Sequence, residues 1–134
     1  MKTIHQQLDY FALNYYTRKV LHDPAGGEGE ILHARDERRL SARGWEIFPR
    51  GLTTLLTRIH QACPDIPEFY VSESGIACLD KPEHGAVHDL ERIDYLRHHF
   101  GAVLDAIEAG VPLKGYFVWS LMDNFEWACG YDSR

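Results

Sequence analysis

The sequence predicts an α/β fold of parallel strands joined by helical crossovers, and a few patterns carry that prediction. Residues 8–16, 68–72 and 113–120 are short, nearly continuous apolar and aromatic runs, as expected of strands covered on both faces. Between them lie segments whose apolar residues recur every three or four positions, the spacing of a helix stripe. The order is strand, helix, strand, helix, strand. Such alternation implies parallel strands with right-handed crossovers, and it fits either an open doubly wound sheet or an arc of a (β/α) barrel.

The first run, Leu8-Asp9-Tyr10-Phe11-Ala12-Leu13-Asn14-Tyr15-Tyr16, is followed by a long segment, residues 17–44. It holds Asp23-Pro24-Ala25-Gly26-Gly27 and the charged run Arg35-Asp36-Glu37-Arg38-Arg39, which read as a solvated surface loop. Pro49 opens the first helix, with Leu52, Leu55, Leu56 and Ile59 on one stripe, and Pro64 stops it. Glu68-Phe69-Tyr70-Val71-Ser72 is a short β-prone run, with Glu73-Ser74-Gly75 where the strand should end. A loop to His88 leads into the longest helix, residues 89–109, with Ile93, Leu96, Phe100, Val103, Leu104 and Ile107 predicted on its packed face. Asp89 and Glu91 suit its positive N-terminus, and Gly110 and Pro112 terminate it. The third strand is Leu113-Lys114-Gly115-Tyr116-Phe117-Val118-Trp119-Ser120.

The chain has 134 residues, a formal charge of −6 and 45% apolar content. One modest core and a single domain fit that size. The acidic balance opposes nucleic acid and anionic membrane surfaces and suits a neutral substrate. No run approaches the ~20 apolar residues of a membrane span, and the first residues do not resemble a signal peptide, so a cytoplasmic setting is expected. Cys63, Cys78 and Cys129 are odd in number and lack metal-ligand spacing, which predicts reduced, packed thiols. His84 and His88 are separated by Gly85 in a loop, and His98 and His99 are adjacent on a helix; neither pair predicts a metal site. No Gly-rich phosphate loop follows a strand, and no cofactor is expected.

Parallel strands bring their carboxyl ends onto one rim, where functional groups gather. Three clusters fall there: Asn14-Tyr15-Tyr16, Ser72-Glu73-Ser74-Gly75, and the long run from Trp119 to Trp127. A carboxylate at a strand mouth is costly unless paired, so Glu73 needs a partner or a task. Trp119, Trp127, Glu126 and Asn14 combine aromatic faces with carboxylate and amide groups, the set that a pyranose requires. Glycoside hydrolysis uses a pair of carboxyl groups. From the residues alone Glu73 and Glu126 are the obvious pair, with capping or ion-paired rim residues as the alternative.

Several of these segments carry a specific resemblance. Leu8 to Thr17 resembles the sixth barrel strand of the family-one glycoside hydrolases, retaining β-glucosidase-type enzymes. Gly44-Trp45-Glu46-Ile47-Phe48-Pro49-Arg50-Gly51-Leu52 is similar to the family's next helix entry, and Tyr70-Val71-Ser72-Glu73-Ser74-Gly75 to its nucleophile strand. Arg92-Ile93-Asp94-Tyr95-Leu96 and the stretch from Gly110 to Trp127 match almost residue for residue. The resemblance implies an α/β fold, the C-terminal part of a (β/α)8 TIM barrel with about three parallel strands and two intervening helices. Residues 1–134 would be the C-terminal portion of one barrel domain.

The resemblance also implies roles. Glu73 would be the catalytic nucleophile, forming a covalent glycosyl-enzyme, and Tyr16 would hydrogen-bond and orient it. Asn14 would line the same pocket, Trp119 would be its stacking floor, and Glu126 and Trp127 would bind sugar hydroxyls. Trp45 would line the aglycone entrance or anchor its loop. Ser74 stands where the family commonly has Asn. The family's acid/base Asn-Glu-Pro segment does not occur in this sequence.

A β-glucoside or related β-glycoside is therefore the expected partner, with no nucleic acid and no membrane. Three strands cannot close a barrel, and their unclosed edges would favour self-association. Without the acid/base group the chain is expected to be inactive alone. The alternative is a non-catalytic remnant that binds sugar weakly or assembles with a partner fragment.

Overall fold

The structure is a computed structural model that describes residues 6–22, 30–31, 39–127 and 129–131. The turn-forming run at residues 23–27 and most of the charged run at residues 35–39 lie outside the described residues. A parallel sheet of order β1-β4-β5 is built from β1 (Phe11–Asn14), β4 (Phe69–Ser74) and β5 (Leu113–Val118). Helix α1 (Pro49–Ala62) connects β1 to β4, and α2 (Leu90–Glu108) connects β4 to β5. Inside the segment expected to be wholly loop, β2 (Leu21–His22) and β3 (Glu30–Ile31) pair antiparallel.

The core lies between the sheet and the helices. Phe69 and Val71 of β4 and Leu52 and Leu56 of α1 are fully buried, beside Tyr15, Val103 and Ala106. Pro49 sits in the first turn of α1, where its missing N–H costs nothing. The Tyr15 hydroxyl donates to the carbonyl of Phe48 at 2.5 Å, which ties the end of β1 to the start of that helix. Gly51 leaves the room, since a Cβ there would collide with the same hydroxyl. Thr53 in turn donates to the Ala102 carbonyl at 2.8 Å and joins the two helices. Asp89 caps α2 by accepting from the Arg92 backbone N–H at 3.4 Å.

Further expectations need correction. Strands β1 and β5 are shorter than the predicted runs of residues 8–16 and 113–120, and neither is covered on both faces, since Ala12, Asn14, Phe117 and Val118 are exposed. Strand β4 runs on through Glu73 to Ser74, because Ser74 turns into the core and is fully buried there. The packed face of α2 also differs from the predicted stripe. Tyr95, His99, Ala102, Val103 and Ala106 are buried, whereas Ile93, Phe100, Leu104 and Ile107 are between 43% and 59% exposed. Small side chains at 102 and 106 allow close approach of the helix to its neighbours, and that fit decides the buried face over raw hydrophobicity.

No described helix is long and apolar enough to cross a membrane. All three cysteines are free thiols, but only Cys78 is buried; Cys63 and Cys129 are exposed, contrary to the expectation of packed thiols. Burial pushes the Cys78 thiol up to about 12, which disfavours its thiolate form.

Candidate active site

At the carboxyl ends of β4 and β5 the chain forms a half-open cavity of about 500 Å³. Glu73 and Tyr16 line it together with Trp45, Trp119, Glu126 and Trp127. Glu73 reaches the cavity because the β1–β4 register shifts between Leu13 and Asn14, pairing Asn14 with Glu73. Such an irregularity re-aims a side chain at a strand end. The Tyr15 backbone N–H then donates to the Glu73 carbonyl at 2.8 Å, which fixes the carboxylate's own backbone.

The Tyr16 hydroxyl donates to Glu73 Oε2 at 2.7 Å. Its pKa is raised well above the ordinary tyrosine value, first by burial and then by the bond to Glu73 and the charge of that carboxylate. The phenol therefore stays protonated and remains a donor at any ordinary pH. The edge of its ring meets Trp45, centroids 5.8 Å apart.

Behind Glu73, on the helix side of the sheet, the fixing is equally close. Ser74 Oγ lies 3.1 Å from the Tyr95 hydroxyl, and Tyr95 stacks on the fully buried His99 at 3.8 Å. Burial lowers the His99 pKa, so its ring is held neutral. The Trp119 backbone N–H donates to the Ser74 carbonyl at 3.0 Å. At Gly75 any Cβ would run into the Trp119 carbonyl oxygen, so only glycine lets the two strand ends meet.

The third rim cluster forms the other wall. Trp119 Nε1 donates to Glu126 Oε1 at 3.3 Å, while Arg43 Nη2 lies 3.0 Å from Glu126 Oε2. A short turn holds Glu126, whose backbone N–H donates to the Gly130 carbonyl at 2.8 Å. Trp127 borders the cavity yet is 96% exposed, with no cover among the described residues. Trp119 is partly exposed on the same side, and its peptide bond to Ser120 is cis.

Asn14 departs from expectation: it is not part of the cavity wall. It lies exposed at the end of β1, where its Oδ1 accepts from the Ser72 hydroxyl at 2.8 Å. The register shift beside it turns Glu73 to the cavity, and Asn14 and Ser72 pair with each other alongside. Sequence reasoning did not single out Arg43 and Arg92, which also line the cavity, as does Asp123 of the third rim cluster. For Arg43 the available signal was its place in the Trp45 segment. His84 occupies a left-handed position beside Gly85 in the tight turn between Glu83 and Ala86, and it is exposed. Among the described residues no group of three or more His, Cys, Asp or Glu side chains could hold a metal ion.

Comparison with known sequences gives this arrangement a family. The profile described as Glycosyl hydrolase family 1 matches residues 1–134. The chain belongs to glycosyl hydrolase family 1. Among family 1 relatives it is 42% identical to Beta-glucosidase A of Thermotoga maritima, a match covering 100% of this chain and 30% of that protein. It is 40% identical to a bifunctional beta-D-glucosidase/beta-D-fucosidase of Bifidobacterium breve, over 98% of this chain and 32% of the relative. The chain thus spans about a third of the length of the curated relatives it matches.

The family 1 β-glucosidase of Thermotoga maritima solved in complex with isofagomine lactam superposes with a TM-score of 0.87 at 44% identity. That superposition covers 95% of this chain and 28% of the larger one. The three parallel strands and two helices accordingly form an open arc of a family 1 TIM barrel.

Proposed function

We infer that this chain carries the nucleophile half of a retaining β-glycosidase site, with Glu73 as the attacking carboxylate. The observation that carries the reading is the 2.7 Å hydrogen bond from Tyr16 to a carboxylate at the mouth of β4, inside an aromatic cavity. In this reading Glu73 attacks the anomeric carbon as the C1–O bond to the aglycone breaks. The aglycone oxygen leaves with the bonding electrons and takes a proton from a general acid, and water later cleaves the glycosyl–Glu73 ester with net retention. Tyr16 holds the attacking carboxylate in line and never competes as a base, because its own proton stays on.

Trp119 offers a face for the C–H surface of a pyranose, and Glu126 accepts from its hydroxyls with Trp127 alongside. Trp45, edge-on to Tyr16, stands at the aglycone side. Asn14 contributes by holding Ser72, next to Glu73 in β4. The substrate class is a terminal β-D-glucosyl or related β-glycosyl residue. Removing a general acid typically costs about 10²–10⁴-fold. No Asn-Glu-Pro segment occurs in the sequence, so the chain by itself should turn over aryl β-glucosides far below ordinary enzyme rates.

The direct test uses a 2-deoxy-2-fluoro-β-glucoside with a 2,4-dinitrophenolate leaving group, which departs without needing a proton. Peptide mass spectrometry should find the fluoroglucosyl adduct on Glu73 and none in Glu73→Gln. Equal labelling of that variant, or an adduct at another residue, would overturn the assignment. A second reading, weak sugar binding without turnover, is favoured by the open sheet and by the fraction of the relatives' length that the chain spans. Glucose-dependent shifts without any adduct would select it.

A further inference from the structure

Arg43 is a charged side chain in the cavity wall that the proposed chemistry does not use. It sits on a built turn. Leu40 and Glu46 form an isolated antiparallel bridge, the Ser41 backbone N–H donates to the Trp45 carbonyl at 2.9 Å, and Gly44 takes the left-handed conformation, φ +72°, that closes the loop. The Ser41 hydroxyl accepts from the backbone N–H groups of Arg43 at 3.3 Å and Trp45 at 3.2 Å. A further bond, from the Ala42 N–H to the Ala77 carbonyl at 2.9 Å, moors the turn to the chain that follows β4.

From this mount the guanidinium spans the cavity rim. It lies 5.4 Å from the centre of the Trp45 ring, within the ~6 Å reach of a cation–π contact. Its Nη2 lies 3.0 Å from Glu126 Oε2, and both side chains are about four-fifths buried. An ion pair shielded to this degree is screened less than a surface pair and fixes geometry more firmly. Glu126 is thus gripped at both oxygens, by Arg43 at Oε2 and by the Trp119 indole at Oε1. An ionised carboxylate has about four acceptor sites, so two gripped oxygens still accept from sugar hydroxyls.

We propose that Arg43 is a positioning residue for sugar recognition, a strap between the Trp45 turn and the loop after β5 that aims the Glu126 carboxylate at the hydroxyls of the bound sugar. This rests on reading the cavity as a glycoside site, and it adds the element that sets the carboxylate's place. Arg43 acts through Glu126 and takes no part in bond breaking.

The test follows the indole N–H resonances of Trp45, Trp119 and Trp127 in the ¹⁵N-labelled full chain, alone and titrated with glucose. In Arg43→Met the Trp119 resonance should move toward its position in Glu126→Gln, and glucose should bind about tenfold more weakly. Arg43→Lys, which keeps a cation able to make the single close contact, should recover most of that loss. A backbone amide spectrum matching the parent confirms that each variant is folded. Parent-like glucose binding by Arg43→Met would overturn the strap and leave the site reading intact. A parent chain whose indole resonances do not respond to glucose would overturn the site reading itself, and the strap's role with it.

Discussion

The two helices make an instructive pair. In α1 the apolar stripe and the buried face meet at Leu52 and Leu56, both with no exposed surface, while Leu55 of the predicted stripe is 39% exposed. In α2 they part: the fully or nearly fully buried side chains are Tyr95, His99, Ala102, Val103 and Ala106, while Ile93, Leu104 and Ile107 face outward and Phe100 is half-exposed with its ring against Tyr116 of β5. A helix that is apolar mainly on one side reveals its face through hydrophobicity. A helix that is apolar on two sides does not, and steric fit chooses which side meets the core.

The sharpest test of that contrast is Leu56→Ala in α1. It removes a fully buried side chain and should cost about 2–5 kcal/mol in urea denaturation, a loss of under 1 kcal/mol showing that the stripe is not the packing face. Next comes His99 on the inner side of α2. Its folded pKa is lowered by burial from the usual 6.5, so below pH 6.5 the unfolded chain binds the proton more readily and stability falls with pH. His99→Phe should flatten the stability–pH curve below pH 6.5 and leave stability at pH 8 nearly unchanged, since the ring's Nε2 is buried without a hydrogen-bond partner among the described residues. An unchanged acid slope would mean that the imidazole is not held neutral.

The smallest effect on stability belongs to the outward stripe. Leu104→Glu with Ile107→Lys should change unfolding free energy by no more than about 0.5 kcal/mol. The same pair should lower any concentration-dependent association in sedimentation velocity, since an exposed apolar stripe beside unpaired strand edges favours it. A large destabilisation would place this face in the core after all.

These contrasts explain what the sequence made legible. The strands were readable because their apolar runs stand between turn signals, although β1 alternates half-buried and exposed residues and β5 leaves Phe117 and Val118 exposed. Glu73 stood out because a carboxylate at the mouth of such a strand has few inexpensive explanations. The inner face of α2 was hidden because alanines, a tyrosine and a neutral histidine carry little hydrophobic signal, although they pack closely. Asn14 shares the face of β1 that carries Tyr16 but stands two residues earlier, bonded to Ser72 and just outside the cavity lining, a difference of position along one face that composition does not mark. Arg43 was overlooked because its partner lies far along the chain, and an isolated arginine in a turn resembles solvated surface.

Gly75 has a consequence for anyone redesigning this pocket. The obstacle to a side chain there is the Trp119 backbone oxygen, which no rotamer change can move aside, so even a single methyl would have to wedge β5 away from β4. Carboxylate and tryptophan wall are then driven apart, so the pocket is better redesigned at positions 43, 45 and 126 than beside Glu73.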